Sequence, residues 1–197
     1  MPEFILEHFN QEKHDIAKVA DLIFRTDPEL NPLVFGEKGR KVIEQLLTMD
    51  DNYFSYPNTR CAIYNDKLAG VVVGFPLTEK ERIDKSSGKA FMKTMGTTTV
   101  LKKIPFMLKL NKIVGREMDE DGYYINQLIV DPAFQGKGLG TEIIKKLALE
   151  YGKLYLHVST DNNGAVRFYK NNGFKEKFKG SMKYRGRIYT ESLMEKK

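Results

Sequence analysis

The amino-acid sequence predicts a mixed α/β fold, a mostly antiparallel central sheet of about seven strands with helices on both faces. Three observations carry this prediction. Runs rich in aromatic and β-branched residues alternate along the chain with runs of helical period. Two pairs of extended runs are joined by short polar turns, as antiparallel hairpins require. Between Tyr123 and Tyr151 a strand, a glycine-rich turn and an amphipathic helix follow directly on one another. At 197 residues, without internal repeats or low-complexity tracts, the chain suits one domain spanning 1–197.

Taken in order, Phe4 to Phe9 reads as the first strand, and Asn10 is placed to cap the helix after it. Ile16, Val19, Ala20, Ile23 and Phe24 recur at i, i+3, i+4, i+7 and i+8, which predicts an amphipathic helix ending before Pro28. Thr26 to Gly39, with Pro28, Pro32 and Gly36, reads as a loop, and Val42, Ile43, Leu46 and Leu47 mark a shorter second helix. The aromatic cluster Tyr53, Phe54 and Tyr56 suits core packing or a pocket wall. Arg60 to Tyr64 and Leu68 to Phe75 are the next strands, flanking the turn Asn65-Asp66-Lys67. Residues 77–121 are too many for an ordinary connection and predict an insertion with structure of its own. Within it Thr98 to Val114 is helix-like, setting Val100, Leu101, Ile104, Met107, Leu108 and Leu110 against four lysines, with Pro105 expected to kink or restart it. Such a basic segment suits a membrane surface or, more plainly, one side of its own sheet.

After the strand that starts at Tyr123, Leu139, Ile143, Ile144, Leu147, Ala148 and Tyr151 share one face of a helix that must lie on the sheet. Leu154 to Val158 is another short strand. Asp161 or Asn162 caps a short helix carrying Val166, Phe168 and Tyr169, which Gly173 ends. Phe174 to Phe178 and Ile188 to Met194 then close the sheet around a loop from Lys183 to Arg187.

Hydrophobic residues at 41% and charged residues at 29% are ordinary for a globular protein. The opening Met-Pro-Glu-Phe lacks a leader pattern, and no window approaches a membrane span, so a cytoplasmic protein without membrane partners is expected. Cys61 is the single cysteine and reads as a small buried hydrophobe. A net charge of +6 suits an anionic partner, but the lysines are scattered rather than set in an aromatic-interleaved stripe, which argues against nucleic acid. A homodimer stays open.

A glycine turn that feeds a helix exposes unpaired N–H groups at the positive end of the helix dipole, which suits a phosphate. Here Gly136, Gly138 and Gly140 run G-x-G-x-G. The dinucleotide fingerprint would need its third glycine where Thr141 stands, and a nucleoside triphosphate loop would need Ser or Thr directly after Lys137, where Gly138 stands. What remains is Gln135-x-x-Gly138-x-Gly140 after a strand ending in Val130-Asp131-Pro132, and further on the run Asn162-Asn163-Gly164-Ala165, Tyr169 and Gly173-Phe174.

Both motifs, in this order and separation, resemble those of the GNAT superfamily of acetyl-CoA-dependent N-acetyltransferases. The likeness is strongest from Tyr123 to Phe174 and elsewhere only topological. It implies that two central strands splay apart to admit the pantetheine arm of acetyl-CoA beside Leu128, Ile129 and Val130. It implies further that Gln135, Gly136, Lys137, Gly138, Leu139, Gly140 and Thr141 form the pyrophosphate loop, used mainly through its backbone. Asn162, with the register uncertain by one because of Asn163, matches an asparagine that contacts CoA, and Tyr169 a tyrosine that points at the CoA sulfur. No metal is implied. The insertion would then cover the side where the acceptor binds.

Acyl transfer to an amine needs a neutral nucleophile, a stabilised carbonyl oxygen and a proton for the departing thiolate. Tyr169 is the candidate acid, since a phenol near pKa 10 can protonate a thiolate near 8.5. Many relatives carry a glutamate on the central strand, whereas Tyr123-Tyr124-Ile125-Asn126-Gln127 holds no carboxylate. Glu120, Asp121, Glu191 and His157 remain as proton acceptors through water, and the acids at 119–121 read more as a solvated loop than as a lure for a cationic amine. A small-molecule primary amine is the expected acceptor. A protein or RNA amine, or a CoA-binding module without turnover, are the alternatives.

Overall fold

Apolar rows on both faces of a single sheet organise this molecule. The computed structural model describes residues 4–114, 118–119 and 121–197. Its strands are β1 (Phe4–His8), β2 (Thr59–Tyr64), β3 (Lys67–Pro76), β4 (Tyr123–Val130), β5 (Leu154–Ser159), β6 (Lys175–Tyr184) and β7 (Arg187–Lys196). They form one 7-stranded sheet in the order β1, β2, β3, β4, β5, β7, β6, antiparallel throughout except between β4 and β5. The mixed, mostly antiparallel sheet expected from the sequence is therefore present.

On one face lie α1 (Ile16–Arg25), α3 (Gly39–Leu47) and α4 (Lys80–Met95), whose Leu22, Ile23, Leu46 and Phe91 pack on Cys61, Val71 and Val73. On the other lie α6 (Leu139–Tyr151) and α7 (Asn163–Asn171), whose Ile143, Leu147 and Tyr169 pack on Val72, Ile125 and Leu156. Cys61 is fully buried, and burial pushes its thiol up to about 12. From β2, Arg60 forks onto both carboxylate oxygens of Glu150 at 2.5 and 2.7 Å, tying the end of α6 to the sheet. No described helix is long and apolar enough to cross a membrane.

Several local expectations need correction. Asp15, not Asn10, caps α1, accepting from the N–H groups of Ala17 and Lys18, while Asn10 closes a turn on Glu12. Both carry a cap-forming side chain, so chemistry alone did not separate them. The stretch from Thr26 to Gly39 is not wholly loop, because α2 (Leu30–Phe35) forms within it. Its Pro32 falls in the first turn, where no N–H is needed. The last hairpin turns on Arg185 and Gly186 alone, both at positive φ (48° and 81°), so β6 and β7 are longer than the Lys183 to Arg187 loop allowed.

The insertion holds two helices, α4 and α5 (Thr97–Val114), and α5 runs on across Pro105 without restarting. Pro105 and Leu101 both face solvent, so water can take the carbonyl bond that the proline leaves open. The inward face of α5 also differs from expectation. Phe106 and Ile113 are buried, with Phe106 4.8 Å from the Tyr184 ring, whereas Leu101, Ile104 and Leu108 point outward. This helix is apolar on two sides, so periodicity could not choose between them.

Two glycines give opposite tests of this packing. A Cβ at Gly140 would come within 2.9 Å of the Phe168 ring where α6 meets α7, while one at Gly88 in α4 would meet nothing within 4 Å. Urea unfolding should show Gly140→Ala losing about 1–3 kcal/mol through overpacking. Gly88→Ala should gain about 0.5–1 kcal/mol from the stiffer unfolded chain.

Candidate active site

The parallel pair is the opening of the site. β4 and β5 match only at Tyr123 with Leu154, Tyr124 with Tyr155 and Ile125 with Leu156. Beyond that the strands continue to Val130 and Ser159 without pairing to each other. A register shift opposite Val73 and Gly74 leaves Asn126 without a partner on β3. Such a bulge bends its strand, and here β4 leaves β5 directly after it.

A cavity of about 630 Å³ occupies the gap and continues over the face that carries α1 and α2. Its walls include Asn126, Gln127 and Leu128 of β4, His157 and Ser159 of β5, Tyr169 of α7, Leu30 and Val34 of α2, and Met107 and Leu110 of α5. Tyr53 and Phe54 line it too, and Tyr53 also packs on the core ring of Phe91, so both readings of that cluster hold; Tyr56 is exposed.

The glycine turn lies at the start of α6. Gly138 caps that helix at φ 78°, with no side chain on the freed N–H groups, and Gly136 also sits at positive φ. A Cβ at either would meet nothing within 4 Å, so the approach to the turn is open. The Gln135 amide donates to the Val130 carbonyl at 3.0 Å, bracing the turn against β4. Lys137 lies over the rings of Tyr64 and Phe134, Leu139 is buried beneath, and Thr141 is half-buried in the first turn. Of the residues singled out from sequence, Leu128, Asn162 and Tyr169 line the cavity; Ile129, Val130 and the turn from Gln135 to Thr141 do not. Asn162 is the N-cap of α7, accepting from the Ala165 N–H at 3.0 Å.

Tyr169 is buried against Phe168 and Phe174, and its hydroxyl meets no hydrogen-bond partner among the described residues. Burial pushes that phenol up to about 12. His157 meets the Tyr124 hydroxyl through Nδ1 at 3.0 Å, while its buried Nε2 has no partner. Burial, with the Lys80 charge adding to it, lowers this imidazole to about 4. The Tyr53 hydroxyl bonds Asp84, which also holds Lys80 at 2.6 Å.

Glu191 was one of several open candidates in the sequence, and the fold singles it out. It lies on β7 opposite Ser159, is 5% exposed, lines the cavity, and has no hydrogen bond or ion pair to a described residue. Burial first, and then the charges of Asp27, Asp161 and Glu29, push its carboxyl from 4.5 up to about 8. Asp119 and Asp121 are instead engaged by Lys153 at 2.7 and 2.9 Å and do not line the cavity, and Glu120 lies outside the described residues. Among the described residues no three His, Cys, Asp or Glu side chains could together hold a metal ion.

Comparison with known proteins agrees with this architecture. The acetyltransferase (GNAT) family profile matches residues 22–174, and the chain belongs to that family. An uncharacterized N-acetyltransferase of Methanocaldococcus jannaschii is 42% identical over 74 residues, 34% of this chain and 30% of that one. The RimI N-alpha-acetyltransferase of Mycobacterium tuberculosis is 39% identical over 27% of this chain and 35% of its own. Spermidine N(1)-acetyltransferase of Escherichia coli is 44% identical over 24% of this chain and 29% of its own. The chain thus aligns with about a third of the length of each curated relative. Among solved structures, an N-acetyltransferase from Staphylococcus aureus shares the fold at TM-score 0.68 and 16% identity, covering 96% of this chain and 99% of that one. A GNAT acetyltransferase from Elizabethkingia anophelis, solved with acetyl-CoA bound, does so at 0.54 and 15%, covering 98% and 97%.

Glu191 gives a pH test of folding. Its folded pKa lies above its ordinary 4.5, so its contribution to stability is present below that value and is lost as pH rises through about 8. Glu191→Gln should therefore gain in melting temperature over the parent at pH 9 and not at pH 4, read by calorimetry at both.

Proposed function

We propose that this protein transfers an acetyl group from acetyl-CoA to a primary amine of a small molecule, with both substrates held together before transfer. One observation carries the reading: a single cavity joins the gap between β4 and β5 to a face lined by carboxylates, so donor and acceptor can meet from opposite ends. Acetyl-CoA supplies an activated carbonyl on a thiol leaving group.

The residues divide the work. The unpaired edge at Leu128, Ile129 and Val130 offers backbone groups to a thin amide-bearing arm, as an added strand would use them. The amides of Gly136 to Thr141 receive the pyrophosphate, with Gln135 bracing the turn, Lys137 adding positive charge nearby and Asn162 holding the start of α7 beside the arm. A new N–C bond forms as the C–S bond breaks. Tyr169, uncharged at neutral pH, gives its proton to the departing thiolate.

Glu191 takes the proton that the ammonium must lose. Against an ammonium near 10.4, transfer to a carboxyl at about 8 is uphill by roughly 3 kcal/mol, compared with roughly 8 kcal/mol for an ordinary carboxyl at 4.5. A water between them suffices, and the free Nε2 of His157 offers that water one more hydrogen bond. The relatives' names differ in acceptor, spermidine in one and an α-amine in another; the cavity of about 630 Å³ favours a small one.

Thiol release from acetyl-CoA across a panel of amines tests the reading. Release with none of them, while acetyl-CoA still raises the melting temperature, would leave a CoA-binding module, the reading that the carboxylate-free β4 favours. Tyr169→Phe should lower kcat by about 10²-fold or more with acetyl-CoA affinity retained. Equal loss of both would assign Tyr169 to the core. The amine kcat/KM should climb with pH through about 8, and Glu191→Gln should abolish that limb.

A further inference from the structure

The cavity's charges do not balance. It is lined by Asp27, Glu29, Asp84, Asp161 and Glu191, with Lys80 as the lysine among its walls. Lys80 is committed to Asp84, and Arg187, from the turn end of β7, to Glu29. Asp27, Asp161 and Glu191 are left without an ion pair to any described residue. Asp27 accepts only the N–H groups of Glu29 and Leu30, at 3.0 and 2.7 Å, and Asp161 stands exposed at the rim, where it also acts on Arg187. Glu191, almost wholly buried and without a hydrogen bond, faces into the space they enclose. In a chain of net charge +6, this corner is locally acidic.

We propose that the acceptor is an amine with a second positive charge, its distal ammonium held by Asp27 and Asp161 while Glu191 serves the reacting nitrogen. The inference rests on the transfer reading above for which nitrogen reacts. It does not rest on it for binding. An ammonium held at Glu191 alone leaves Asp27 and Asp161 without a counter-charge, and a second ammonium at the far end of the same molecule supplies one. Leu30, Val34, Met107 and Leu110 supply apolar wall for the methylenes between the two nitrogens.

Three four-carbon amines isolate the far-end charge: 1,4-diaminobutane, 1-aminobutane and 4-aminobutanoate. Calorimetric binding should place the diamine at least about tenfold tighter than 1-aminobutane, with 4-aminobutanoate weakest, and kcat/KM should follow the same order. The double variant Asp27→Asn, Asp161→Asn should bring the diamine to within about twofold of 1-aminobutane. Should that variant not fold, Asp161→Asn alone, at an exposed position without a side-chain hydrogen bond, should remove a good part of the preference. Equal binding of diamine and monoamine, or a preference that survives the charge removals, overturns the proposal. If no amine releases CoA while the diamine still binds tenfold tighter, the transfer reading fails and this subsite stands.

Discussion

Everything in this molecule that resembles a working site depends on β4 and β5 pairing for three rows and then separating. Unpaired backbone groups inside a protein are costly, and two facing edges left open would ordinarily close on each other. They stay apart because each strand is held from its far side: β4 by seven rows on β3, β5 by six on β7. The bulge at Asn126 turns the strand at the point of separation, and the close approach of Gly140 to Phe168 fixes the two helices that back it. The gap is thus a product of strong pairing elsewhere.

Burial then sets the chemistry. The same loss of water raises the phenol of Tyr169 and the carboxyl of Glu191 and lowers the imidazole of His157, so each moves toward its uncharged form. Until a charged guest enters, these three groups stay uncharged beside the carboxylates of the cavity wall. An arriving cation reverses this for Glu191, because a nearby positive charge favours its ionised state.

Local features of the fold are legible in the sequence. The glycine turn, the face of α6 and most strands announce themselves within a few residues, and Asn65-Asp66, at φ 48° and 59°, turns as such a polar pair should. Non-local features were not legible. Glu191 sits in Tyr189-Thr190-Glu191-Ser192, which reads as a half-solvated strand, and only tertiary packing around β7 buries it. The register shift at Asn126 likewise needs β3 to define it. For α5, two apolar stripes compete, and the buried one includes Ile113, which packs so close to Gly180 of β6 that an added Cβ there would come within 3.0 Å of it. The Arg60 fork onto Glu150 joins residues far apart in the chain, with nothing local to announce it.

An acid-lined hollow in a basic body also bears on how the two proposed substrates would arrive. At long range the surplus of +6 draws in a polyanionic nucleotide thioester and repels a cation, which feels the carboxylates only near the mouth. Mobile ions screen the long-range field within about 10 Å at 0.1 M and reach the enclosed carboxylates much less. For the proposed donor and acceptor, raising ionic strength slows the first encounter and relieves the barrier to the second, so the order of capture would be set partly by the surrounding medium.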